Sequence, residues 1–154
     1  MILSKSNIIT ANTITLTTGT VSSGALVNMQ NYDFSKLVSS DSATFKFTLA
    51  SVGSCRYVAL HGISFPIGAV VTVTGTGFSK TYTMVRDIKN LVFYVDAAVT
   101  LGSLAVQIAG AGTKTISYIQ AGSVTEVDWG TNSGQSLHYL AHNKKSRVTT
   151  NSRG

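Results

Sequence analysis

A chain of 154 residues, 44% of them apolar, is long enough for one packed core, and its single cysteine, Cys55, allows neither an intramolecular disulfide nor a thiolate metal cluster. Charged residues make up only 12%, with Glu126 the lone glutamate, while Ser and Thr fill about a quarter of the chain; this excludes a disordered segment, a coiled coil and a helical bundle. Twelve Lys and Arg against six Asp and Glu give a net charge of +6, which prompts a search for a nucleic-acid-binding stripe.

Taken in chain order, Asn12–Thr18 is strand-sized, and Tyr32–Ser39 holds the one hint of a helical turn. Ala43–Ala50 then alternates Phe45, Phe47 and Leu49 with Thr44, Lys46 and Thr48, the pattern of a half-buried strand. Gly53-Ser54 reads as a turn. Arg56–Phe65 is apolar on both faces, so a central strand is expected there, stopped by Pro66-Ile67-Gly68. Val70–Thr74 and Lys80–Val85 follow as strands around a Gly75-Thr76-Gly77 turn, and a further turn falls at Asp87 to Asn90. Leu91–Val99 and Ser103–Ala109 alternate cleanly, with a turn expected at Leu101-Gly102-Ser103 and another at Gly110-Ala111-Gly112. Lys114–Ala121, Ser123–Trp129 and Leu137–His142 are the last strand-sized pieces. About ten short strands separated by turn signals predict an all-β fold, an antiparallel β-sandwich with little or no helix. The domain is expected over 1–142, opening with an arm at about 1–12, and residues 143–154 form a basic extension.

Most basic residues are scattered singly; only Lys144, Lys145, Arg147 and Arg153 gather, in that extension. A tail so short, with only Tyr139 as a neighbouring aromatic, lacks a stacking platform, so nucleic-acid binding is not expected of it. No basic n-region with an apolar h-region opens the sequence, and no run is long enough to span a membrane as a helix, so neither secretion nor a membrane partner is expected.

Candidate chemistry is thin. Gly75–Thr81 and Gly110–Thr115 faintly suggest phosphate loops, but strand pattern follows each where a helix is needed, so hairpin turns are the expectation. Glu126 and Asp128, two apart on a strand, would sit about 7 Å apart on one face, a glycosidase-like spacing without an evident cleft. His138 and His142 would lie about 13 Å apart on a strand, and His61 reads as a packed or turn residue, so no metal, cofactor or catalytic site is expected. Trp129, with Asn132 close by, is the one candidate sugar-stacking platform.

Three segments carry a resemblance: Arg56-Tyr-Val-Ala-Leu-His-Gly62, Pro66-Ile-Gly-Ala-Val-Val-Thr-Val73 and Thr115-Ile-Ser-Tyr-Ile-Gln-Ala-Gly122. They resemble the galactose-binding-like (discoidin-like) jelly-roll modules of minor structural and tail proteins in tailed bacteriophages, and Arg147–Gly154 is similar to the segment leading out of such modules. The resemblance, over about residues 44–154, implies a jelly roll, a virion location and a non-enzymatic scaffold role; it carries over no sugar or calcium site. The expectation is a phage structural protein of the tail, adaptor, hub or fibre attachment. It would contact copies of itself and other virion proteins through sheet edges and the terminal residues Ile2, Leu3, Ile8, Ile9, Lys144, Lys145, Arg147 and Arg153. The alternatives are a capsid decoration protein and a carbohydrate-binding receptor module.

Overall fold

In the computed structural model, residues 2–4, 7–9 and 13–126 are described. Ten strands follow one another: β1 (Ile2–Ser4), β2 (Ile14–Thr18), β3 (Val38–Ser40), β4 (Thr44–His61), β5 (Val70–Gly75), β6 (Phe78–Thr83), β7 (Asn90–Ala109), β8 (Lys114–Ile116), β9 (Tyr118–Gly122) and β10 (Val124–Glu126). The helical hint falls elsewhere than expected: a 3-10 turn occupies Leu26–Gln30, and β3 takes the end of the Tyr32–Ser39 stretch. The Leu137–His142 segment, most of Ser123–Trp129's second half and the 142/143 boundary lie outside the described residues.

Two expected turns are not turns. Gly53-Ser54 lies inside β4, an 18-residue strand, and Leu101-Gly102-Ser103 lies inside β7, a 20-residue strand. The two run antiparallel along their length, with Thr44 opposite Ala109 and His61 opposite Asn90, and the register slips between Ala50 and Gly53 and again between Cys55 and Tyr57. Glycine and a bulge look alike in sequence, but at a bulge the partner strand continues and the ribbon bends. Gly53, at φ 90°, supplies the left-handed conformation that such a bend uses.

The bend is severe. A straight β4 would be nearly 60 Å long. Yet Val70, which the chain reaches within about 30 Å of His61, pairs with Ala109, the same residue that pairs with Thr44. The β4–β7 ribbon therefore doubles back and builds both layers of the sandwich. Its outer half, flanked by β2 and by β5–β6, forms one layer; its inner half, flanked by β9, forms the other. Phe45, Phe47, Leu49, Val106 and Ile108 from the first layer meet Val58, Leu60, Phe93 and Ile119 from the second in one buried cluster. Each such side chain stabilises the fold by about 1.5–3 kcal/mol.

β8 pairs with β3 and carries the most unusual core member. Lys114 is fully buried, and its Nζ donates to the carbonyls of Ser42 (2.8 Å) and Gly112 (2.7 Å). The Gly110–Thr115 segment is thus a β7–β8 connection whose lysine closes on its own chain. Burial holds the Lys114 ammonium below its ordinary 10.5, with nearby Asp41 opposing the shift. The unfolded chain then binds this proton more tightly than the folded one, so stability rises with pH across the window just below 10.5. Urea melts from pH 8 to 10.5 are expected to show a steeper rise for the wild type than for Lys114→Met. Equal slopes would remove Lys114 from that dependence.

Candidate ligand-binding site

Strand register assembles the site. Asn90 at the start of β7, His61 at the end of β4 and Tyr118 at the start of β9 stand side by side in one row. Paired residues share a face, and the next row, Leu91, Leu60 and Ile119, is buried in the core; the Asn90–His61–Tyr118 row therefore faces outward. His61 stacks on Tyr118 with ring centroids 5.9 Å apart and planes 25° from parallel. Its Nδ1 lies 2.9 Å from Asn90 Oδ1, and since an amide oxygen only accepts, Nδ1–H donates this bond. The ring Nε2 is buried and has no hydrogen-bond partner among the described residues. Tyr118 is fixed from the other side: Asn7 Nδ2 donates to its hydroxyl at 2.6 Å and to the Ile119 carbonyl at 3.2 Å.

A loop lays two more aromatics over this row. Tyr32 packs edge-on against Tyr118 at 5.2 Å and Phe34 at 5.0 Å, while Phe34 reaches Tyr118 at 6.3 Å and His61 at 6.4 Å. Between them Asp33 Oδ1 accepts hydrogen bonds from the Ser35 hydroxyl (2.5 Å) and the Ser35 N–H (3.0 Å), which with Lys36 hold its carboxyl below the usual range. This local turn splays the flanking rings to the same side. The loop's base is tied by a backbone pair, Ser39 N–H to Ser23 O at 2.9 Å and Ser22 N–H to Ser39 O at 2.8 Å. Gly62, at φ 58°, lets the rings settle: a Cβ there would strike Ser117 Oγ and press on Phe34.

The corner is aromatic and nearly neutral. Tyr32 is 76% exposed and Phe34 46%. The charges nearest in sequence to Asn90, Asp87 and Lys89, pair with each other at 2.9 Å. Exposed ring faces beside amide and hydroxyl groups suit a ligand with an apolar C–H face and several hydroxyls. Among the described residues no group of three or more His, Cys, Asp or Glu is placed to hold a metal. Cys55 is buried, and desolvation pushes its thiol up, away from nucleophilic use.

The residues singled out in the sequence fall elsewhere. Ile9 is fully buried in the core and Ile8 packs half-buried against it, with the Ile8 N–H on Ala121 O at 2.9 Å. Both are packed within their own chain. Ile2 and Leu3 lie in β1, which pairs with β10, where Glu126 sits. Asp128, Trp129, Asn132, His138, His142, Lys144, Lys145, Arg147 and Arg153 lie outside the described residues. Gly75–Thr81 forms the β5–β6 hairpin. Tyr32, Phe34, Asn90 and Tyr118 were not singled out; the available signal was Tyr-Asp-Phe, two aromatics about a turn-forming Asp.

No family model and no curated protein matches the chain. Solved structures do. It is similar to the lectin domain of lectinolysin complexed with Lewis b antigen (TM-score 0.60, 8% identity, 77% of this chain and 97% of that one). It is also similar to a Streptococcus pneumoniae fucose binding module, SpX-3 (TM-score 0.57, 7% identity, 80% and 100%). A third is the family 32 CBM of C. perfringens NanJ in complex with galactose (TM-score 0.56, 8% identity, 75% and 96%). The fold is therefore the antiparallel β-sandwich of these structures, as expected from the strand pattern of the sequence. These three structures are carbohydrate-binding domains and say nothing about a phage particle.

Proposed function

We propose that this chain is a non-enzymatic carbohydrate-binding module that recognises neutral glycans at the Tyr32–Phe34 corner. The observation that carries the reading is the exposed aromatic pair seated on the His61–Tyr118 stack, with Asn90 and tyrosine hydroxyls around it. Aromatic faces take the C–H side of a sugar ring, and the polar groups fix its hydroxyls. The glycans bound by several of the similar structures support the same reading. It reverses the order of the two sequence-based expectations, placing the carbohydrate module ahead of the scaffold.

The test is saturable binding to immobilised neutral glycans ending in galactose, fucose or N-acetylglucosamine, competed by the free sugar and leaving the glycan intact. Absence of binding at millimolar sugar overturns the reading, and release of sugar overturns its non-enzymatic part.

A structural place in a bacteriophage virion is the second reading. It rests on the three resembling segments and on β2 and β6, which stand at the ends of the sheet order with one edge each unpaired in it. Incorporation into particles, seen by electron microscopy, supports it; a strictly monomeric protein found in no assembly counts against it.

A further inference from the structure

The aromatic corner does not end at Asn90. The register that aligns Asn90, His61 and Tyr118 also aligns Val92 with Ala59 and Gln120, and Tyr94 with Tyr57 and Gly122, two residues along at each step. All three rows share the outward face. Leu91, Phe93 and Val95 point into the core, whereas Val92 is 39% exposed and Tyr94 51%. The first half of β7 thus spends good core residues on its wet side. β5 pairs only with the second half of β7, so this stripe follows the margin of its layer.

The stripe is continuous with the corner. No Asp, Glu, Lys or Arg stands in these three rows. Four residues of strand separate the Asn90 row from the Tyr94 row, about 13 Å. Along this rise Val92 and Tyr94 are the exposed side chains while Ala59 and Tyr57 beside them are buried, so the path keeps to β7 and is longer than one sugar ring.

We propose that the ligand is a neutral oligosaccharide that leaves the Tyr32–Phe34 corner and runs outside the first half of β7, with Tyr94 as a second stacking platform. The inference rests on the carbohydrate reading of the corner. It adds a chain-length requirement and a second contact residue.

Calorimetry on the full chain tests it, with N-acetylglucosamine oligomers and galactan-derived oligomers, each from the monosaccharide to the hexasaccharide. Affinity for one series is expected to rise about tenfold from monosaccharide to trisaccharide. Tyr94→Ala is expected to erase that rise and leave monosaccharide affinity unchanged, while Tyr94→Phe keeps it. An unchanged melting temperature of the Ala variant separates loss of a contact from loss of fold. Affinity independent of chain length, or a rise that survives Tyr94→Ala, overturns the extended path and leaves the corner standing. No binding by any oligomer, nor by the fucose-ending glycans of the corner's own test, overturns both.

Discussion

Alanine at both Tyr32 and Phe34 is expected to lower affinity for the preferred neutral glycan about a hundredfold. Each aromatic contact contributes about 0.5–1.5 kcal/mol beyond the area it covers, and two with their buried area reach nearly 3 kcal/mol, which is two decades in Kd. Tyr32, three-quarters exposed, serves the fold little, so Tyr32→Ala alone is expected to cost about tenfold in affinity. Tyr32→Phe keeps the ring and most of the binding. Phe34 leans on Gly62, Tyr118 and His61, so its loss adds a small stability cost visible as a few degrees in melting. Titration calorimetry with a parallel thermal melt checks both numbers. Wild-type affinity in the double variant moves the site off this corner, and Trp129→Ala becomes the variant to make.

Gly24→Ala is expected to weaken fold and site together without touching the ligand. Gly24 has φ 81°, and a Cβ there would be driven into the Leu37 carbonyl at the base of the Tyr32–Phe34 loop. The left-handed conformation alone costs a non-glycine residue about 1–3 kcal/mol, and the backbone clash forces the Ser23–Ser39 pair apart. A loss of about 2–4 kcal/mol follows, which denaturant melts read directly. Gly77→Ala is the control: φ is also positive, at 70°, but nothing stands within 4 Å of its Cβ, so only the backbone cost applies. Gly77 lies in the β5–β6 turn, and its variant is expected to bind glycan as the wild type does. If Gly24→Ala is as mild as Gly77→Ala, the loop base is softer than its contacts imply.

Period-two alternation made the strands legible, because Phe45, Phe47 and Leu49 on one side, and Leu104, Val106 and Ile108 on the other, have to point at a core. The folding back of the ribbon was not legible. Gly53-Ser54 carries the signature of a tight turn, and only the continuing partner strand shows it to be a bulge. Lys114 read as one scattered charge, since its burial depends on Ser42, far away in sequence. The site was hidden for a similar reason. Tyr32, His61, Asn90 and Tyr118 come from four separate segments, and a single sequence does not give the register that brings them together. Trp129 was singled out for its polar neighbours in sequence such as Asn132, and it lies outside the described residues.

Because one doubled ribbon supplies both layers, almost every rung of its ladder joins positions dozens of residues apart. Closing such large loops costs chain entropy before any contact repays it. This module should therefore collapse to its native state slowly, over milliseconds to seconds, with the second half of β7 unable to settle until β5 and β6 have emerged and turned. Sluggish assembly of this kind leaves open margins exposed for longer, and the yield of active protein in a host would be governed by that race.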